Sequence, residues 1–273
     1  MKTTDAEGQP VLVESDPQYE FYQDVMRTIE KAGVPFLIGG GFAFASFTGI
    51  ERKIKDLDLF ILPQDFSRVL ETLAGAGFTT SVRFSHWLGK VLKGEDFVDV
   101  IFDSGNGVCR VDEIWFDHAI PVEILGMPVK LCAPEEMIWS KAFVMERDRF
   151  DGADVAHLFH ACSGTLDWGR LLRRFGEGHW RVLFSHLILF GFIYPSDRGK
   201  IPDWVQSECL RRYRYEMKAD TPPGRVCQGT LFSWSEYLPD IEQRQYEDGR
   251  HPPAGNLSQE DTVRLTAVWR NDT

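Results

Sequence analysis

The sequence contains little that would place the protein in a membrane or cross-link it. Its longest apolar run, residues 187–194, is far shorter than the ~20 residues that a transmembrane helix needs. The polar first ten residues are not followed by the apolar run of a secretory signal. The five cysteines are scattered and form no CxxC pair, so we expect reduced thiols in a cytoplasmic protein, without disulfides or structural zinc.

Positive charge is also scarce. The formal net charge is −11 over 273 residues, which excludes a protein that binds bulk polyanions through overall charge. Apolar residues make up 43% of the chain and charged residues 26%. Both fractions are typical of globular proteins, and the length suits one large domain or two modest ones.

Strand-like patterns lie in the first half of the chain and helix-like patterns in the second. The predicted strands are 34–38, 56–61, 97–102 and two short segments within 121–131. The predicted helices are 17–32, 42–47, 64–75 and several that fill most of 134–238. This segregation predicts an α+β fold, with a sheet-containing domain followed by a helical one.

Composition also suggests how the chain divides. We expect a flexible lead-in at residues 1–16, a catalytic domain at 17–133 and a mostly helical C-terminal domain at 134–238. Residues 239–273 are polar with few apolar anchors. They predict a loosely held tail, with one short helix near 261–268.

Three aspartates stand inside otherwise apolar strands. Asp56 and Asp58 are two residues apart, so their side chains share one face of a strand, and Asp99 lies in the strand predicted at 97–102. Carboxylates so close together repel one another unless a cation lies between them. Strand-borne carboxylate oxygens suit Mg²⁺, and two such ions could clamp a phosphoryl displacement.

A glycine turn precedes these aspartates. Gly39, Gly40 and Gly41 lie between a predicted strand and a predicted helix, where unobstructed backbone amides and the helix dipole favour a phosphate. Arg52 and Lys55 come just before Asp56 and could neutralise a triphosphate.

The order of strand, glycine turn, helix and Asp-x-Asp strand resembles the nucleotidyltransferase superfamily with a polymerase-β-type core. Gly40 and Gly41 match its glycine pair, although the serine or threonine common nearby is absent. The resemblance implies a small mixed sheet flanked by helices. It also implies that Asp56 and Asp58 bind metal, with Asp99 as the third carboxylate.

A second stretch resembles the linker helix of AbiEii-type and related nucleotidyltransferases. It runs from Pro134-Glu135-Glu136 to Lys141 and then through Arg147–Asp154. By this resemblance, Lys141 and either Asp151 or Asp154 reach back to the active site. Phe150 replaces the basic residue usual before the first aspartate, which leaves both aspartates as candidates. The resemblance covers roughly residues 34–160, and aminoglycoside and lincosamide nucleotidyltransferases share its first half.

The resemblance implies an enzyme dependent on Mg²⁺ or Mn²⁺ that transfers a nucleoside monophosphate from an NTP to an acceptor hydroxyl and releases pyrophosphate. A tRNA end, a protein hydroxyl and an antibiotic-like small molecule are all open as acceptors. Toxin-type relatives add an antitoxin as a potential partner. The alternatives are an inactive nucleotide-sensing or partner-binding module, and a glycosyltransferase that uses its Asp-x-Asp to hold a nucleotide sugar.

Two further patterns have ordinary explanations. His157 and His160 have metal-like helical spacing, but no third ligand is evident, so we do not predict zinc. Residues 163–218 hold more cations than acids and interleave them with aromatics, as at Tyr213-Arg214-Tyr215. Such a surface could grip RNA, although a solvated helix face is the favoured interpretation.

Overall fold

The structure, a computed structural model, describes residues 16–220 and 224–272. A seven-stranded mixed sheet forms its centre, with the strand order β3-β4-β5-β2-β1-β7-β6. The strands are β1 (Leu37–Ile38), β2 (Leu57–Phe60), β3 (Thr79–Phe84), β4 (Leu88–Lys93), β5 (Asp96–Ile101), β6 (Ile120–Ile124) and β7 (Met127–Leu131). A separate short parallel pair joins β8 (Val226–Cys227) to β9 (Glu247–Asp248).

Helices cover the sheet and make up most of the chain after it. Those interleaved with the strands are α1 (Pro17–Lys31), α2 (Gly40–Thr48), α3 (Phe66–Gly75) and α4 (Glu113–Asp117). Those that follow are α5 (Pro134–Lys141), α6 (Gly152–Cys162), α7 (Trp168–Ile193), α8 (Asp203–Glu216), α9 (Trp234–Glu242) and α10 (Gln259–Asp272). The predicted α+β fold is confirmed, with the mixed sheet before residue 131 and mainly helices after it.

Apolar side chains at the sheet centre hold the strands of the site in position. Leu57 and Leu59 of β2 are fully buried, so the intervening Asp58 points to the opposite face. β2 runs antiparallel to β1 and parallel to β5. A one-residue slip would move both leucines out of the core, and this fixes the register of β2.

The hairpin formed by β3 and β4 was not among the predicted strands. Four of the six β3 residues are exposed, including Val82, so the strand lacks the apolar alternation by which a half-buried strand is recognised. This hairpin extends the sheet beyond β5. It therefore adds side chains next to the strand that carries Asp99.

A buried ion-pair network joins α5 to α7. Glu135 and Glu136 in the first turn of α5 are almost fully buried, as is Arg170 of α7, which binds both of them. Arg174, one turn further along α7, donates to Glu136 and to Asp112. Because each buried charge has a partner of opposite sign, the desolvation cost is offset.

The expectation of a loosely held tail from residue 239 is wrong for a large part of that segment. Arg250, Leu257 and Thr262 are buried, and Leu257 packs against Gly107 in the turn after β5. Arg250 forms an ion pair with Asp248. These anchors are isolated in a polar sequence and therefore produce no periodic pattern. Of the predicted lead-in, residues 1–15 lie outside the described ranges.

No helix within the described ranges combines the length and apolarity needed to cross a lipid bilayer. The five cysteines are unpaired, and four of them are buried. They therefore act mainly as small apolar groups in the core.

Candidate functional site

Three carboxylates meet at the end of the central strands. Asp58 on β2 stands directly opposite Asp99 on the parallel strand β5, and Asp56 immediately precedes β2. One oxygen from each of Asp56, Asp58 and Asp99 lies within 4.8 Å of the other two. Strand pairing thus brings together residues far apart in sequence.

The electrostatics of this cluster reflect its crowding. Burial, together with the negative charges of Asp56 and Asp99, raises the pKa of Asp58 to about 7. Burial also raises the pKa of Asp99, although Lys90 counteracts it through a hydrogen bond of 2.7 Å to Oδ1. Lys90 lies opposite Asp99 on the antiparallel strand β4.

The donor set fits a hard divalent cation. Oxygens bound to a single Mg²⁺ at about 2.1 Å lie roughly 3–4 Å apart, close to the spacing of the three carboxylates. Within the described ranges, this is the one group of three or more acidic, histidine or cysteine side chains close enough to share a metal ion. A bound cation would also relieve the repulsion that raises the pKa of Asp58.

The glycine turn makes close backbone contact with this cluster. Gly40 has φ of 51°, a conformation that side-chain-bearing residues rarely adopt. A Cβ atom on Gly40 would lie only 1.6 Å from Oδ2 of Asp58. Gly39 is similarly restricted, because its Cβ would lie 2.3 Å from Phe60. Gly41 has more room, with its nearest neighbour, Ile54, at 3.2 Å.

The amino end of α2 adds positive potential beside the carboxylates. α2 begins at Gly40, and the first amides of a helix have no acceptor within the helix. Arg52 lies 4.2 Å from the Phe44 ring centroid on α2 and forms a 2.6 Å ion pair with Asp154. Lys55 is exposed and lines the same cavity as the three carboxylates. This corner can therefore accept an anion.

Another wall of the cleft is a network of ion pairs between α5 and α6. Lys141 at the end of α5 contacts both Asp151 and Asp154, with Nζ–Oδ2 distances of 3.1 and 2.9 Å. Arg149 makes two hydrogen bonds to Asp151. Burial alone would raise the pKa of Asp151, but hydrogen bonds from Arg149 and the charge of Lys141 lower it. Both candidate aspartates therefore contact Lys141.

These groups surround one cleft of about 620 Å³. It is lined by all the site residues suggested by the sequence except Gly39, which packs against the Phe60 ring. The lining members of that set are Gly40, Gly41, Arg52, Lys55, Asp56, Asp58, Asp99, Lys141, Asp151 and Asp154. Six carboxylates and four cations line the cleft, an imbalance that a divalent cation would correct.

Sequence reasoning missed several residues of this region. Trp87 and Asp103 line the cleft, and Lys90 contacts Asp99. Burial raises the pKa of Asp103 to about 6. Trp87 and Lys90 belong to the hairpin that had no recognisable strand pattern. Arg149 lies within the second motif, and its position two residues before Asp151 was the sequence feature that could have indicated their contact.

The two histidines with metal-like spacing, His157 and His160, each contact other side chains. His157 packs edge-on against Phe44, whereas His160 contacts Lys200 and Asp197. Several cations of the 163–218 segment are also paired: Arg174 is mostly buried, and Arg211 and Arg212 both bind Glu208. These contacts reduce the charge available for an RNA backbone.

The sequence matches no family model, and no curated protein matches it. Solved structures that resemble this one include the antibiotic-resistance factor ANT(2'')-Ia (16% identity, TM-score 0.42, covering 62% of this chain and 94% of that one). Another is a nucleotidyltransferase-like protein from Paracoccidioides brasiliensis (16%, 0.45, 68% and 92%). A third is the lincosamide adenylyltransferase LnuA (14%, 0.38, 52% and 96%).

One of these neighbours is described as nucleotidyltransferase-like and another as an adenylyltransferase. At these scores the superposition is partial, and it assigns no activity to this chain.

Proposed function

We propose that this protein transfers a nucleoside monophosphate from an NTP to an acceptor hydroxyl. The observation that carries the proposal is the convergence of Asp56, Asp58 and Asp99 within 4.8 Å, next to a helix amino end that begins at Gly40. Carboxylates that repel one another can bind divalent cations, and the helix amino end beside them can bind phosphate. This combination suits a substrate that binds together with divalent cations.

In the proposed complex, Asp56, Asp58 and Asp99 would hold Mg²⁺ or Mn²⁺. The metal would supply Lewis-acid stabilisation of the charge that develops on the phosphate oxygens. The first amides of α2 and the exposed Arg52 and Lys55 would bind the triphosphate.

The chemistry balances without a further reactant. The acceptor hydroxyl oxygen forms a bond to the α-phosphorus, while the bond from that phosphorus to its bridging oxygen breaks. Pyrophosphate leaves with the bonding electron pair, and the hydroxyl proton passes to a carboxylate or to water. Asp99 is placed to assist that proton transfer. Lys141, held by two aspartates, would supply positive charge close to the phosphates.

The test uses each α-labelled NTP with Mg²⁺ and separate acceptor fractions, and it measures pyrophosphate release and transfer of label. We expect Asp56→Asn and Asp58→Asn to lower turnover by about a hundredfold or more. The matched control is Asp24→Asn, because Asp24 is exposed on α1. Equal activity in Asp58→Asn and the wild type would overturn the proposal.

Thermal stabilisation by NTP separates the competing functions. Stabilisation that requires Mg²⁺, without turnover on any acceptor, would support the inactive nucleotide-sensing module. Stabilisation by a nucleotide sugar in preference to an NTP would support the glycosyltransferase.

A further inference from the structure

A second cavity opens off the cleft, and five of its sixteen lining residues are aromatic. We call it the aromatic pocket and define it by Phe84, Trp87, Phe143, Phe232, Trp234 and Arg250; its volume is about 280 Å³. Trp87, Gly105 and Ser140 line both this pocket and the cleft. The two cavities are therefore adjoining parts of one site.

Sheet order places the aromatic pocket on the far side of the carboxylates from the phosphate corner. The glycine turn follows β1, Asp58 lies on β2 and Asp99 on the next strand, β5. Trp87 comes just before β4, which lies beyond β5. In an in-line displacement, the attacking oxygen and the leaving pyrophosphate lie on opposite sides of the phosphorus. The pocket is thus on the side of the attacking oxygen.

The walls of the aromatic pocket suit a flat ring. Phe84 and Trp87 stack with centroids 5.7 Å apart and planes 11° apart. Phe143 and Phe232 stack at 6.1 Å and 26°. Each pair stacks on itself, and the remaining ring faces and edges of both pairs offer apolar contact to a ring-bearing ligand. The volume limits that ligand to about one or two rings, because drug-sized ligands occupy cavities of roughly 300 Å³ and more.

Two buried donors at this pocket have no hydrogen-bond acceptor among the described residues: Nε1 of Trp87 and Nη1 of Arg250. A buried donor without a partner is costly. A small movement of the Trp87 or Arg250 side chain toward the cavity would allow its donor to bind a ligand oxygen. The charge of Arg250 is already balanced by Asp248 at 2.6 Å. An uncharged oxygen therefore suits this donor as well as an anion does.

The charges around the pocket argue against two other acceptors. Among the described residues, Glu146 is the one carboxylate in the pocket lining, and it accepts a hydrogen bond from Ser233. The pocket itself therefore offers little negative charge for a polycationic sugar. An RNA would need free cations along its backbone, but the chain carries a net charge of −11 and Arg211 and Arg212 are paired.

We propose that the aromatic pocket is the acceptor site, and that the acceptor is a small molecule with a flat ring, oxygen acceptors and a free hydroxyl. This proposal rests on the proposed transfer function. Trp87 and Phe232 would hold the ring, and the unpaired donors would orient it so that its hydroxyl reaches the carboxylates.

The first test locates the transferred label. Wild-type protein is incubated with α-labelled NTPs, Mg²⁺ and cell extract separated into low-mass, RNA and protein fractions. We expect label in the low-mass fraction.

Trp87→Phe, which removes the N–H but keeps a ring, should raise the acceptor KM about tenfold. Phe232→Leu should also raise it, while NTP binding measured by thermal shift stays unchanged. Phe192→Ala, on an exposed face of α7, is the control.

A second measurement examines the pocket without turnover. Protein labelled with 5-fluorotryptophan is titrated with adenosine, a hydroxyphenyl alcohol and glucose, and the Trp87 resonance is assigned by its loss in Trp87→Phe. We expect the two ring compounds to shift this resonance saturably and glucose to leave it in place.

The outcomes separate the two proposals. Label in RNA or protein, or an unchanged acceptor KM in both pocket variants, overturns the acceptor proposal while the transfer function stands. Absence of label from every fraction, despite Mg²⁺-dependent NTP binding, defeats the transfer function and with it the acceptor role. If neither ring compound shifts the Trp87 resonance, the pocket does not bind flat rings.

Discussion

Gly40 is the residue at which the site is least tolerant of change. Its positive φ and its contact with Asp58 are two separate restrictions, and both exclude a side chain. Gly41, its neighbour, has neither restriction to the same degree. A glycine pair that looks uniform in sequence therefore contains two positions of different importance.

We expect Gly40→Ala to abolish stabilisation by Mg²⁺ and NTP and to destabilise the fold by at least about 1 kcal/mol, because the added methyl is strained and collides with Asp58. Gly41→Ala should retain binding, since its Cβ only has to displace a flexible isoleucine by a few tenths of an ångström. Thermal shifts and urea unfolding of both variants check this. Equal damage from the two substitutions would contradict the interpretation.

Asp58 makes the apo protein sensitive to pH. Its folded pKa of about 7 lies above the ordinary value of 3.8, so the folded state binds the proton more tightly than the unfolded state does. The associated stability is complete below pH 3.8 and is lost as the pH rises through about 7.

Without metal, Asp58→Asn should therefore be more stable than the wild type above pH 7, by up to about 4 kcal/mol. The two proteins should converge near pH 4, where the wild-type carboxyl is protonated. Adding Mg²⁺ at pH 8 should stabilise the wild type more than the variant. Urea unfolding at several pH values measures these differences, and a difference that does not vary with pH would refute the assignment.

At the scale of elements, α5 connects the core to the cleft. Its first turn holds the buried Glu135 and Glu136, and its last residue, Lys141, binds Asp151 and Asp154. The short helix thus joins α7 at one end to the site at the other. The charged side chains of α5 are therefore held in position by ion pairs with other residues and are not simply hydrated.

Glu136→Ala should lower the free energy of unfolding by about 3 kcal/mol, because it leaves the buried Arg170 and Arg174 with less compensating charge. Glu136→Gln, which keeps the shape and one acceptor oxygen, should cost less. Glu260→Ala removes an exposed ion pair with Arg264 and should change stability by no more than about 1 kcal/mol. Denaturant titration of the three variants measures this order; similar losses in all three would exclude a special role for the network.

At the scale of the whole molecule, the C-terminal segment closes the site rather than trailing from it. Asn106 donates to the carbonyl of Leu231, and Asn256 donates to that of Gly107. Both hydrogen bonds fasten late residues to the turn that follows β5. This segment supplies Phe232, Trp234 and Arg250 to the lining of the aromatic pocket.

Leu257→Ala should loosen this closure, since Leu257 is buried against Gly107 and truncating a buried leucine costs about 2–5 kcal/mol. We expect faster proteolysis within residues 224–257 and weaker binding of ring compounds, with NTP binding retained. Val263→Ala, at an exposed position of α10, is the control. Unchanged proteolysis in Leu257→Ala would show that the segment is held by other contacts.

Whether a site residue could be predicted from the sequence depends on the kind of contact that positions it. Asp58 and Asp99 stand in apolar strands and Asp56 immediately precedes one. The burial pattern of β2 and β5 orients Asp58 and Asp99, so the convergence could be expected. Trp87 and Lys90 lie in a hairpin whose outer strand, β3, is mainly exposed and lacks apolar alternation. Leu257 is anchored by a turn far away in sequence. Such contacts depend on tertiary packing, which local patterns do not encode.

The hairpin beside Asp99 has one further consequence. β3 is the outermost strand on its side of the sheet, and an outer strand can pair with a strand of another molecule and seed aggregation. Here the register shifts between Val82 and Phe84, and the exposed Arg83 lies at that irregularity. A bulge and a charge both discourage intermolecular pairing. The irregularity next to Phe84, a residue of the pocket wall, therefore also makes β3 a poor template for pairing with another molecule.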